Sequence, residues 1–177
     1  MKRIIRELNA AGVEYALTGA LAVSYYGRPR TTADVDVILR TSPEEFPRLA
    51  RVLRNAKLAA DERRLRMAWG SKHRIAYFEN NDGLRLDAIL TSEVVPRRKA
   101  KILGLPSYVQ EPGSLLLTKL RLMKVTMDEE RRIVDREDVL SILKNVELDR
   151  AALLEESRRQ LTHELLVELL ADAEQQA

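Results

Sequence analysis

The run Asp34-Val35-Asp36-Val37-Ile38-Leu39 constrains this chain more than any other segment. Its apolar residues predict a β-strand buried on at least one face. Residues two apart in a strand point the same way and lie roughly 7 Å from each other, so the two carboxylates share a face. Like charges so placed repel and call for cations or water, which leaves a solvated strand face or a cation site as the readings. A second apolar strand, Leu84-Arg85-Leu86-Asp87-Ala88-Ile89-Leu90, carries another acid at Asp87, where strand acids are uncommon. Three carboxylates converging from two adjacent strands make an oxygen-rich site suited to Mg2+ or Mn2+ rather than zinc. Such a site can hold two ions about 4 Å apart, one at an attacking oxygen and one at a triphosphate.

Around these strands the pattern alternates. Residues 2–11 read as a helix burying Ile4, Ile5 and Leu8 and ended by Gly12, and 13–17 as a strand. Residues 20–26 are small and apolar, a buried helix ended by Gly27, and Pro29 marks 28–32 as loop. Ser42-Pro43-Glu44-Glu45 is a helix start, with a cap, a proline in the first turn and acids at the positive end. Helices are expected over 44–55 and 61–69, then strands over 74–79 and 84–90 joined by the hairpin signal Asn81-Asp82-Gly83. Further short strands are expected within 100–109. After Pro112 the character turns helical, over 115–125, 135–144 and 149–173, with Asp135 and Asp149 as caps. The expected organisation is a core over residues 1–110 with a helical extension over 111–177 packed on it as a single structural unit.

At 177 residues and 45% hydrophobic content the chain suits one sizeable core. It has no cysteine, which excludes disulfides, thiolate metal sites and cysteine nucleophiles and points to a cytoplasmic setting. No run approaches the ~18 apolar residues of a membrane span. His73 and His163, the two histidines, lie far apart in ordinary surroundings, which argues against a histidine triad or zinc site. The net charge of +3 is compatible with polyanionic partners without establishing one. Runs of basic residues at 63–74 and 97–101 are by default solvated faces. Beside the acids they would guide RNA or another phosphorylated acceptor.

Gly19-Ala20-Leu21-Ala22-Val23, Gly27, and then Arg30-Thr31-Thr32-Ala33-Asp34-Val35-Asp36 resemble the signature of the DNA-polymerase-β-like nucleotidyltransferase superfamily. Arginine-x-threonine leading into the acid pair looks like its minimal and abortive-infection-type branch, found in prokaryotic toxin–antitoxin systems. Glu111-Pro112-Gly113-Ser114-Leu115, Lys119-Leu120 and Asp135-Arg136-Glu137-Asp138-Val139 look like the later helical motifs of that group. The resemblance covers roughly residues 13–145. It implies an α+β nucleotidyltransferase fold: a small mixed twisted sheet flanked by helices, with a helical C-terminal part completing one side of a cleft. It also implies roles. Asp34 and Asp36 would share the metal ions, and Asp87 would ligate the catalytic one and help deprotonate an acceptor hydroxyl. Gly19 and the Ala20 amide would face the phosphates, as helix N-termini do for anions. Lys119 would neutralise triphosphate charge, and Arg30 and Thr32 would line the same pocket. Lys119 can equally be a snorkelling lysine at a core edge, and Asp135 and Asp138 a cap and a first-turn acid.

The expected function is metal-dependent transfer of a nucleoside monophosphate from a nucleoside triphosphate to an acceptor hydroxyl on RNA or protein, within a toxin–antitoxin setting that would supply a cognate partner. Ala20 stands where the family usually has glycine or serine, which supports an alternative: the fold retained as a binding module, antitoxin-like or nucleotide-sensing. A nucleic-acid-binding protein with a structural metal is a further alternative.

Overall fold

The computed structural model describes residues 1–175 apart from Arg28, Arg30, Thr31 and Ala33. The chain divides into two compact units. The first comprises residues 1–21 and 31–110, and the second residues 22–30 and 111–177.

The first unit is built on a mixed six-stranded sheet. In chain order its strands are β1 (Tyr15–Leu17), β2 (Asp34–Arg40), β3 (Ile75–Glu79), β4 (Arg85–Thr91), β5 (Arg97–Ile102) and β6 (Leu105–Gln110). In space they run β3-β4-β2-β1-β6-β5. The pairs β2/β4 and β1/β6 are parallel, and the other three neighbours are antiparallel. One face of the sheet is apolar over its central strands: Tyr15, Leu17, Val35, Val37, Leu39, Phe78, Leu86, Ala88, Leu90 and Val109 are all buried. Helices α1 (Lys2–Ala10), α3 (Phe46–Asn55) and α4 (Glu62–Trp69) accompany this sheet, with α1 against α3 and β6, and α4 against α3 and β3. Each helix buries one stripe, Ile4, Ile5 and Leu8 on α1 and Leu49, Val52 and Leu53 on α3, as an amphipathic period requires. Burying such side chains contributes about 1.5–3 kcal/mol apiece.

Local signals account for most boundaries. Asp61 caps α4 by accepting the Arg64 N–H at 2.8 Å. Pro43–Glu45 forms a 3-10 turn leading into α3, and Glu45 accepts the Ser42 N–H at 3.0 Å. The β3–β4 turn is organised by Asn80, whose side-chain oxygen accepts from Asp82 and Leu84, while Gly83 takes φ +77°. β5 begins earlier than the sequence suggests, at Arg97. It pairs with β6 through a turn in which Leu103 and Gly104 both adopt positive φ, 51° and 82°. A leucine in that position carries no turn signal.

The second unit contains the later part of α2 (Gly19–Tyr26), together with α5 (Pro112–Val125), α6 (Glu129–Asn145), α7 (Arg150–Arg159) and α8 (His163–Gln175). Its core joins Ala22 and Val23 with Leu115, Leu116, Leu120, Val139, Ile142, Leu166 and Leu169. Two expectations are corrected here. Asp135 does not cap a helix: α6 starts earlier, on Asp128, which accepts the Arg131 N–H at 3.2 Å, and Asp135 is fully buried in mid-helix. The expected single helix over 149–173 is two, because Leu161 takes φ 57° and the Thr162 N–H turns back to the Ser157 carbonyl at 2.9 Å. That closure is usually made by glycine, so a leucine hides it from the sequence. Asp149 is the cap of α7 as expected, accepting from Ala152 at 3.0 Å. Among the described residues no helix is long and apolar enough to cross a membrane.

Glu14, just before β1, ties the far end of the sheet together. Its carboxylate accepts from Val95 N–H at 3.1 Å and from Arg40 Nη1 at 3.0 Å. Burial, the largest single influence, raises its pKa. The Val95 and Arg40 hydrogen bonds and the charges of Arg40 and Arg97 together outweigh it, leaving Glu14 below its ordinary 4.5. A carboxylate lowered by folding stabilises the protein above its unfolded value and loses that contribution as pH falls through the folded one. Glu14→Gln is therefore expected to lower the urea midpoint modestly at pH 7, by less than about 1 kcal/mol, since the ion pair is part-exposed. The two proteins should converge as pH falls below the folded value of Glu14. A gap that persists in acid would show that the charge of Glu14 is not what matters.

Candidate active site

Asp34 opens β2, and Asp36 follows on the same side of the strand. Across the parallel β2/β4 pair the register sets Asp36 opposite Asp87 and Asp34 opposite Arg85. The antiparallel β3/β4 pair sets Tyr77 opposite Asp87. Alternation explains the placement: Val35, Val37, Leu86 and Ala88 fill the buried face, so the acids between them must take the other. All three aspartates are intermediate in exposure, neither sealed in the core nor free in solvent.

Gly19 begins α2 at φ 57°, and a Cβ built there would lie 2.1 Å from Asp36 Oδ2. Only glycine fits this left-handed position against a carboxylate. Thr18, the residue before it, donates its N–H to the Asp36 carbonyl at 3.0 Å and its hydroxyl to Gln110 Oε1 at 2.5 Å. The start of α2 is thereby held to β2 and β6. Its first N–H groups have no partner four residues back within the helix, and the dipole at that end favours negative charge. Ala20 is 3% exposed, so its methyl is a packing group and only its amide is available for chemistry.

Asp87 does not face its neighbouring acids unaccompanied. Arg85, two residues earlier on β4, grips it with a two-pronged bond, Nε to Oδ1 at 2.6 Å and Nη2 to Oδ2 at 2.8 Å. The same guanidinium lies 4.9 Å from the centre of the Tyr77 ring. The hydrogen bonds to Asp87, then the charges of Asp87 and Asp34, raise the Arg85 pKa above its ordinary value. Sequence reasoning passed over Arg85. The available signal was its spacing: an arginine two positions from a strand acid shares that acid's face.

The geometry thus makes Asp36 and Asp87 neighbours and brings Asp34 to their face, but does not close them into a cluster. Among the described residues no group of three acidic or histidine side chains is placed to hold a metal ion. Three features nevertheless fit a hard divalent cation. The donors are all carboxylate oxygens, a cation of another kind already stands at Asp87, and the space beside Asp36 is one that a Cβ would fill.

The remaining candidates are placed as follows. Thr32 is exposed and spends its hydroxyl locally, donating to the Asp34 carbonyl at 3.0 Å and accepting the Asp34 N–H at 3.2 Å, which shapes the entry to β2. Arg30 lies outside the described residues. Lys119 belongs to the second unit, where it is 2% exposed and paired with Asp135 at 2.6 Å and Asp138 at 2.8 Å. It is a buried charge matched by two carboxylates, not a snorkelling lysine at a rim.

No family model matches the sequence, and no curated protein matches it. Solved structures do match. An antigenic nucleotidyltransferase-like protein from Paracoccidioides brasiliensis superposes with a TM-score of 0.57 at 13% identity, covering 95% of this chain and 88% of that one. The antibiotic-resistance factor ANT(2'')-Ia gives 0.56 at 12% identity, covering 99% and 93%. The lincosamide antibiotic adenylyltransferase LnuA, in its lincomycin-bound form, gives 0.52 at 12% identity, covering 78% and 93%. The chain has the nucleotidyltransferase fold, as the resemblance of residues 19–36 implies. At these identities the likeness is one of fold.

Proposed function

We propose that the protein is a nucleotidyltransferase that moves a nucleoside monophosphate from a nucleoside triphosphate to an acceptor hydroxyl. The observation that carries this reading is the register that puts Asp36 beside Asp87, with Asp34 on the same face and glycine at position 19, where a side chain would collide with Asp36. The acceptor oxygen bonds to the α-phosphorus, the bond to pyrophosphate breaks, and the hydroxyl proton leaves to a nearby base. Asp34 and Asp36 would hold Mg2+ or Mn2+, with Asp87 completing the set and helping to take up that proton. The bound metal would supply charge neutralisation on the triphosphate and a more acidic acceptor hydroxyl. The chain's own part is positioning: β2 and β4 fix the carboxylates, and the first amides of α2 offer donors to a phosphate oxygen.

Label transfer tests this directly. Purified protein with α-labelled triphosphates, Mn2+ and candidate acceptors is expected to transfer label, and Asp36→Asn to lose at least about 100-fold of that rate while keeping its melting temperature. Transfer by Asp36→Asn at the wild-type rate would show the site to be misassigned. The acceptor that takes the label decides the class. RNA or protein agrees with the toxin–antitoxin branch that the sequence resembles. A small hydroxylated molecule agrees with ANT(2'')-Ia, solved with adenylyl-2''-tobramycin.

A further inference from the structure

We propose that Arg85 is a resident counter-ion for Asp87 that divalent metal must displace, so that metal binding is weak alone and strengthened by the triphosphate. The inference rests on the nucleotidyl-transfer reading of the acid site and adds a residue and a coupling to it.

The observations are geometric. Both oxygens of Asp87 are taken by the Arg85 fork, so Asp87 has its strongest in-plane acceptor positions filled by a guanidinium. An arginine in this setting stays charged and cannot be removed by losing a proton, so a metal ion reaches the in-plane oxygen positions that the fork fills only if the side chain swings away. The Arg85 side chain is 46% exposed and Tyr77 beneath it is exposed, which gives the guanidinium a solvent side to turn toward. A destination is also present. Arg85 stands in register with Glu79 on β3, on the side of β4 away from Asp34 and Asp36, so a carboxylate outside the metal set flanks it. The guanidinium therefore has one resting place over Tyr77 with Asp87 and a second carboxylate, Glu79, across the adjacent strand. An incoming triphosphate adds anionic oxygens that compete for the same guanidinium. By linkage, whatever draws Arg85 off Asp87 strengthens metal binding, and metal at Asp87 strengthens whatever Arg85 then meets. Arg85 is in this sense a positioning residue, acting on the site through Asp87.

The test is Mn2+ uptake by the full chain, read from the free-Mn2+ electron spin resonance signal, with and without a non-hydrolysable triphosphate analogue. Wild type, Arg85→Gln, Tyr77→Ala and Asp36→Asn are compared after their folding is checked by circular dichroism. Arg85→Gln is expected to bind Mn2+ alone up to about fivefold more tightly than wild type, the range open to a part-exposed ion pair. Its gain on adding the analogue should shrink correspondingly. Tyr77→Ala, which keeps the fork but removes the ring beneath it, should move the same way by less, and it carries the test if Arg85→Gln fails to fold. Wild-type affinity and coupling in these variants, with uptake lost only in Asp36→Asn, would overturn the role of Arg85 and leave the acid site standing. No uptake by wild type or Arg85→Gln, even with the analogue, would overturn the acid-site reading and this proposal with it.

Discussion

Replacing Lys119 with alanine is expected to destabilise the protein by about 3–5 kcal/mol, the range for stranding a buried charge without its partner. The lysine Nζ lies 2.6 Å from Asp135 and 2.8 Å from Asp138, and all three groups are buried. Arg131, from the solvent side, adds a weaker contact to Asp135 at 3.3 Å. With Lys119 gone, two carboxylates three residues apart on α6 would share a low-dielectric site without their buried cation. The helix positions make this worse, because Asp135 and Asp138 lie on the same side of α6, one turn apart. Urea unfolding measures the loss. Removing all three charges together, with Lys119→Met, Asp135→Asn and Asp138→Asn, should recover much of it, since the penalty is for the imbalance and not for the missing pair. If the single variant melts like wild type, the pairing seen in α5 and α6 contributes nothing to stability. This is a structural expectation, independent of any role the lysine plays in catalysis.

The second large effect is expected at Gly19. Gly19→Ala faces two penalties of different origin. Its φ of 57° costs an L-residue about 1–2 kcal/mol. Its new methyl would meet Asp36, whose Oδ2 lies 2.1 Å from the ideal Cβ position. Stability should fall by little more than the backbone term, because the Asp36 carboxylate can turn aside. Activity should fall far more, by about 100-fold or beyond, since displacing a reacting group by an ångström is enough to do that. The ratio of the two effects is the informative quantity. A variant that loses stability and activity in proportion would mean that Gly19 serves the backbone alone. Unchanged label transfer would mean that Asp36 is not held where it must be.

Much of this arrangement was legible in the sequence, for reasons that can be named. The acids stood out because they interrupt strands whose other residues are apolar, and a period of two then sorts them onto one face. Gly19 stood out through its place before a small-residue helix and the acid pair. The parts that were hidden share a different cause. Leu161 adopts left-handed backbone that side-chain chemistry does not advertise, so the α7–α8 break left no trace, whereas Gly104 did mark the β5–β6 turn beside a left-handed Leu103. Asp135 looked like a cap because an aspartate before an apolar stretch usually is one. What displaced that reading is a tertiary partner, Lys119, sixteen positions away. Arg85 was overlooked because basic residues in strands are read as surface, and its relation to Asp87 appears only when both are placed on one face.

The parallel register of β2 and β4 has a further consequence, for how the sheet finds itself. Sliding β2 by one residue along β4 would set Asp36 against Leu86 or Ala88, side chains that belong to the dry face. Either the aspartates would then enter the apolar layer or the leucines would leave it, and both outcomes are severely unfavourable. Two smooth runs of valine, isoleucine and leucine would slip past one another at little penalty. The charges that equip the site thus also act as alignment marks, and a sheet that closes with its acids side by side has been checked for register in the act of closing.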